Sequence, residues 1–160
     1  MSMPQPGDKA PDFEAPVFGA DSETLSLKDL RGKWVVLYFY PKDNTPGCTR
    51  EAVGFTETID EIRKLGAEVV GVSKDSIRSH QNFASKYNLR FPLLSDPDAE
   101  IAKAYGVWVK KKRYGKEYMG VQRSTFLIDP QGKIAKVWEK VNPDGHAEEV
   151  IQALRELTRG

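Results

Sequence analysis

The sequence predicts an α/β protein with a mixed central sheet flanked by helices on both faces. Two observations carry this reading. Residues 33–40, KWVVLYFY, form an apolar run without alternation, as expected of a strand buried on both faces. A helically spaced segment (46–65) and a second such strand, EVVGVS at 68–73, follow it. Strand, helix and strand make a βαβ unit, which implies a parallel pair with a right-handed crossover. The length of 160 residues suits a single domain, 1–160, because domains run about 100–200 residues. A chain this size buries roughly 70% of its unfolded surface, enough for its own core.

The N-terminal MSMPQPGDKAPDF carries three prolines in its first eleven residues and reads as an extended arm without an apolar signal core. Pro41 ends the strand 33–40. In the helix 46–65, Ala52, Phe55, Ile59 and Ile62 define one apolar face, and Gly66 terminates it. A second helix covers 76–88, a short strand 91–94 and a short helix 98–105. Residues 106–120, around KKKRYGKEY, read as a polar hairpin. The strand STFLID (124–129), the turn Pro130-Gln131-Gly132 and an antiparallel partner (133–139) follow. The last helix, 145–157, buries Ala147, Val150, Ile151, Leu154 and Leu157.

Composition excludes several function classes. The 24 Lys and Arg against 23 Asp and Glu leave a net charge of +1, which argues against a general nucleic-acid binder. A single cysteine, Cys48, rules out an internal disulfide and any cysteine-built zinc or iron–sulfur site. The longest apolar run is far too short to span a bilayer, so no membrane partner is expected and the location is read as cytoplasmic. His80 and His146 read as surface histidines, and nothing supports a metal site. KKKR at 110–113, with Trp108 and Tyr114 nearby, reads as a solvated hairpin.

The loop Pro41-Lys42-Asp43-Asn44-Thr45-Pro46-Gly47-Cys48 follows the central strand, where ligands sit in open α/β sheets. Thr45 suits the N-cap and Pro46 the first helical position. Cys48 then falls in the first turn, where unpaired N–H groups and the helix dipole favour an anion, here the thiolate. The alternative is a small buried hydrophobe.

The segment FYPKDNTPGCTREAVGF resembles the active-site region of peroxiredoxins of the bacterioferritin-comigratory-protein/PrxQ branch. The motif Pro-x-x-x-Thr-x-x-Cys is met by Pro41, Thr45 and Cys48. Similar pieces run along the chain in family order: PGDKAPDF at 6–13, LKDLRGKWVVLYF at 27–39, EVVGVSKD at 68–75, FPLLSD at 91–96, YGKEYMG at 114–120 and RSTFLID at 123–129. The resemblance implies a thioredoxin-like fold, no cofactor, and thiol-dependent reduction of hydrogen peroxide and organic hydroperoxides. By the same resemblance, Cys48 is the peroxidatic nucleophile. Thr45 hydrogen-bonds thiolate and peroxide through its hydroxyl, and Pro41 shields the sulfur. Arg123 returns over the thiolate, and Glu51 holds Arg123.

Lowering a thiol's pKa from about 8.5 to about 6 raises its ionised fraction some 30-fold at neutral pH, but intrinsic nucleophilicity falls roughly tenfold. Acidification alone therefore yields a gain of only severalfold. Holding the peroxide in line and stabilising charge as the O–O bond breaks must contribute more.

The chain departs from many relatives in its resolving cysteine. One family position holds Val53 here, and another lies in the region of Ala84. A sulfenic acid on Cys48 has no thiol partner in its own chain. A one-cysteine cycle regenerated by an external thiol follows, the donor being thioredoxin, glutaredoxin or a small thiol. The chain is expected to be monomeric, with a dimer as the alternative. A thioredoxin-like binding or holdase module with little turnover is the competing function, and peroxide consumption with a panel of thiols separates the two.

Overall fold

A computed structural model of the chain describes residues 3–159. In chain order the elements are β1 (Glu14–Phe18), β2 (Thr24–Ser26), a 3-10 turn (Leu27–Leu30), β3 (Trp34–Phe39), α1 (Pro46–Lys64), β4 (Ala67–Ser73) and α2 (Ile77–Tyr87). Then come β5 (Leu93–Ser95), α3 (Glu100–Ala104), β6 (Trp108–Arg113), β7 (Lys116–Val121), β8 (Ser124–Ile128), β9 (Ile134–Trp138) and α4 (His146–Thr158).

Among the described residues the strands form a seven-stranded sheet, ordered β2-β1-β5-β4-β3-β8-β9, and a separate ribbon of β6 and β7. The expected βαβ unit is present, with β3 parallel to β4 and β4 parallel to β5. The β3–β8, β8–β9 and β1–β5 pairs are antiparallel, so the sheet is mixed. The absence of alternation in β3 has a direct cause. Val36, Tyr38 and Tyr40 pack against α1, α2 and α4, while Val35, Leu37 and Phe39 pack against α3, the 3-10 turn and the N-terminal segment. Successive side chains point to opposite faces, and both faces are apolar layers.

The N-terminal arm is packed rather than loose. Lys9 bridges to Lys133, and Ala10 and Phe13 are buried. Sequence reading missed the hairpin that follows, although Ala15 and Val17 alternate with exposed Glu14 and Pro16 in the period of a half-buried strand. Pro16 masked that signal, since proline within a strand is confined to edges and special positions. The α1 boundary matches expectation: Leu65 is the C-cap, and Gly66 takes the left-handed φ of 83° that glycine adopts without strain.

Three expectations are corrected. Both histidines are interior, His80 at 0% and His146 at 1% exposure, because each ring nitrogen has a polar protein partner. Leu157 is 44% exposed in the final turn of α4, where no layer extends beneath the apolar stripe. The hairpin is only partly solvated, since Lys111 is half-buried and its Nζ donates to the Val121 carbonyl at 2.6 Å.

Gly71 on β4 lies opposite Tyr38 on β3. A Cβ there would meet Leu93 Cδ2 at 2.9 Å and the Tyr38 ring at 3.0 Å. Gly71→Ala should therefore lose about 1–3 kcal/mol by overpacking, read from the urea midpoint at unchanged m-value.

Candidate active site

The site begins where β3 leaves the sheet. Pro41 lies exposed at a bend, and the chain turns through Asn44, whose φ of 60° is one that asparagine tolerates. Thr45 then takes the N-cap backbone geometry and α1 starts at Pro46, which places Cys48 in the first turn as expected. The expected capping bond is absent. Thr45 Oγ1 donates to the Lys42 carbonyl at 2.8 Å, so its proton is directed into the loop and away from both helix and sulfur.

A buried knot fixes this loop. Asp43 Oδ1 accepts the Tyr40 hydroxyl at 2.6 Å, and Oδ2 accepts the Ser79 hydroxyl at 2.8 Å and faces His80 Nδ1 at 2.7 Å. His80 Nε2 in turn faces the Leu94 carbonyl at 2.8 Å. The Asp43 N–H donates to Asp75 Oδ2, which also accepts the Ser73 hydroxyl. The loop is thereby tied to α2, β4 and β5. Breaking such a network strands several buried donors and acceptors, each costing about 1–3 kcal/mol.

Cys48 is 1% exposed. Arg123, the residue before β8, places Nη2 at 3.3 Å from Cys48 Sγ and Nη1 at 2.8 Å from Glu51 Oε1. Cys48 and Glu51 are three residues apart on α1 and so share a face of the helix. One planar guanidinium engages both, as its fork of donors permits. Gly47 makes room for this arrangement, because a Cβ there would come within 3.1 Å of Arg123 Nη2.

The Glu51 carboxyl is 2% exposed, and its Oε2 has no hydrogen-bond partner in the structure. Burial pushes its pKa up to about 7, although the charge and hydrogen bonds of Arg123 pull the other way. For Arg123 itself burial works downward, yet Glu51 and Cys48 together raise it above the ordinary arginine value. Burial also drives the Tyr38 phenol well above its ordinary value, with Glu51 and Cys48 adding to the effect. Lys111 is lowered first by burial and then by Arg123, which places a second cation of the ribbon within the field of the site. His146 is lowered chiefly by burial, and its Nε2 faces the Thr125 hydroxyl at 2.8 Å. Among the described residues no cluster suits a metal ion.

Of the five residues singled out from sequence, the structure brings Cys48, Arg123 and Glu51 into contact. It places Thr45 on the same loop with its hydroxyl turned to Lys42, and Pro41 at the exposed bend before it. The Asp43–His80 knot and the role of Gly47 were not found from sequence. A signal existed for His80, which shares the buried face of α2 with Phe83 and Ala84 at spacings of three and four.

Residues 6–137 match the AhpC/TSA family. A putative peroxiredoxin Bcp of Coxiella burnetii is 54% identical over 148 residues, covering 92% of this chain and 97% of that protein. Peroxiredoxin Bcp of Bacillus subtilis is 48% identical over 152 residues, covering 95% of this chain and 96% of that protein. The Xanthomonas campestris bacterioferritin comigratory protein, whose structures address its alkyl peroxide reduction activity, superposes with a TM-score of 0.88 at 39% identity, covering 98% of each chain.

Gly47→Ala separates geometry from stability. Alanine in the first turn of α1 gains about 0.5–1 kcal/mol over glycine in helix propensity, which offsets the loosened Arg123–Glu51 pair, so the melting temperature should change little. The displaced guanidinium should slow oxidation of Cys48 by hydrogen peroxide roughly tenfold, about 1.4 kcal/mol in the barrier. Stopped-flow oxidation beside thermal melts reads both.

Proposed function

Because the chain belongs to the AhpC/TSA family, among its Bcp/PrxQ peroxiredoxins, and is a thiol-dependent peroxidase, we propose that it reduces hydrogen peroxide and organic hydroperoxides in a one-cysteine cycle through a Cys48 sulfenic acid. The observation that carries the cycle is the guanidinium of Arg123, held by Glu51 and lying 3.3 Å from the sulfur of a chain with one cysteine.

In the first half-reaction the Cys48 thiolate attacks the hydroxyl-bearing oxygen of R–O–OH. The S–O bond forms as the O–O bond breaks, and the electron pair leaves on RO⁻, which takes a proton to become ROH. Arg123 and the backbone N–H groups of the first turn stabilise the developing charge. The Thr45 hydroxyl donates to Lys42, so its oxygen serves as an acceptor that orients the peroxide O–H. Pro41 forms the outer wall of the opening. In the second half-reaction an external thiolate displaces the sulfenic hydroxyl as water, and a second thiol releases the mixed disulfide and restores Cys48.

The external donor is thioredoxin, glutaredoxin or a small thiol, and the cycle needs no nucleic acid, membrane or cofactor. The whole chain acts as one domain, as a monomer in the cytoplasm. No helix among the described residues is long and apolar enough to cross a membrane.

Two predictions test this reading. Arg123→Ala should slow peroxide reduction at least about tenfold after extrapolation to full thiolate ionisation, about 1.4 kcal/mol in the barrier. One equivalent of peroxide should add one oxygen to a monomer by mass spectrometry, and a supplied thiol should convert that species to a mixed disulfide. Recovery of the full rate on correction for thiolate fraction, or a dimer joined through two Cys48 sulfurs as the main product, overturns the corresponding step.

A third prediction concerns Glu51. Its folded pKa of about 7 lies above the ordinary 4.5, so the folded state binds the proton more tightly than the unfolded chain. The associated stability is full below about pH 4.5 and is lost as pH rises through about 7. Up to about 3 kcal/mol is at stake, at 1.36 kcal/mol per pKa unit. The effect on rate has the opposite sense: acid neutralises Glu51 and loosens its hold on Arg123. The thiolate-corrected rate of the wild type should therefore fall on the acid side with a midpoint near 7. Glu51→Gln should lack that limb and also the loss of stability between about pH 4.5 and 7. An acid limb retained in the Gln variant would assign it to another group.

A further inference from the structure

We propose that the cavity between the Cys48 loop and α2 receives the carboxylate-bearing end of a small peptide-like thiol, the reductant of the cycle. The proposal rests on the one-cysteine reading, which requires a thiol from outside. It adds the place where that thiol docks and the charge it carries.

The cavity has a volume of about 390 Å³ and is lined by Asn44 of the loop, Ser76 at the N-cap of α2 and Arg78, Asn82 and Lys86 of that helix, with Asp43 at its inner wall. Arg78, Asn82 and Lys86 are spaced by four residues and form one row along the helix. Neither Arg78 nor Lys86 takes part in an ion pair among the described residues, and Lys86 rests 5.4 Å over the ring of Tyr87. Asp43 makes no ion pair with either, because its oxygens are turned to Tyr40, Ser79 and His80, so its single negative charge offsets the two cations only in part. The result is a recess with two unpaired cations and several amide and hydroxyl donors, suited to a carboxylate.

Its position matches the chemistry. Asn44 and Cys48 are four residues apart, so at most about 14 Å of chain separates the recess from the nucleophile. An extended tripeptide covers about 10 Å. Arg78 and Lys86 stand about 12 Å apart along the helix, so in the proposed complex one of them holds the acid end while the thiol extends toward the loop that carries Cys48. Docked there, its thiolate displaces the hydroxyl of the Cys48 sulfenic acid: the S–S bond forms, the S–O bond breaks, and the hydroxide takes a proton and leaves as water. A second molecule of the same thiol then releases the disulfide and regenerates the Cys48 thiolate.

The test oxidises the full chain with one equivalent of hydrogen peroxide and follows loss of the sulfenic acid with glutathione and with glutathione diethyl ester. The ester keeps the thiol and blocks both carboxylates. Glutathione should react roughly fivefold faster or more at low ionic strength, and the ratio should shrink in molar salt. In an Arg78→Ala/Lys86→Ala double variant the ratio should approach one; both side chains are exposed, so the fold tolerates their loss. Equal rates for acid and ester in the wild type, or a ratio unaffected by the double substitution, overturns the proposal. S-Methylglutathione, which cannot react, gives a readout independent of the cycle. Titrated into the reduced chain, it should shift the amide resonances of Asn44, Lys86 and residues 76–82 in the wild type and leave them unmoved in the variant. Absence of those shifts in the wild type overturns the docking site even if the sulfenic acid forms. Shifts without a sulfenic acid would instead count against the one-cysteine cycle.

Discussion

The chemistry of this protein depends on one guanidinium. Arg123 reaches across from the start of β8 and joins the sulfur of Cys48 to the buried carboxylate of Glu51 on the first turns of α1. A cation buried beside a thiol would be costly alone. Glu51 supplies the opposing charge, and its own burial makes that charge dependent on pH near neutrality. The three groups hold one another in place, and each owes its position to the β3–β4–β8 core. β3 delivers the loop to the edge of the buried layers, α1 orients sulfur and carboxylate on one face, and β8 brings the arginine back over them.

Much of this was legible in the sequence because strong local signals agreed. The unalternating apolar run of β3, the Thr-Pro pair opening α1 and the helical spacing of Ala52, Phe55, Ile59 and Ile62 all point to a strand–loop–helix with Cys48 in the first turn. Arg123 and Glu51 were reachable only through resemblance, since nothing local says that residues 72 positions apart make a salt bridge at 2.8 Å. The β1–β2 hairpin was hidden by Pro16, and the separate ribbon of β6 and β7 showed only as a polar excursion.

The histidines show a different limit. Composition makes a lone histidine look like a surface residue, yet His80 and His146 are both interior. What keeps them there is polar satisfaction, chiefly by partners far along the chain: the Leu94 carbonyl and Asp43 for one, and Thr125 for the other, whose second ring nitrogen meets Glu149 one turn along its own helix. Such partners are tertiary facts. Thr45 shows the same limit in part: it is the N-cap that residue type and position point to, but the loop's turn toward the Lys42 carbonyl takes up the hydroxyl that would have made the capping bond.

The knot of Tyr40, Asp43, Ser79 and His80 has a consequence for how the protein communicates. Unwinding the start of α1 would drag on a loop whose buried groups are bound to α2 and to the Leu94 carbonyl. A chain that must bring two of its own cysteines together would have to break such a knot in each cycle; this chain, with one, has no reason to. No disulfide within the chain requires its backbone to change shape while the sulfur gains and loses oxygen. A partner offered the reduced and the oxidised forms would meet the same outer surface, and only one that touches the sulfur itself could tell them apart.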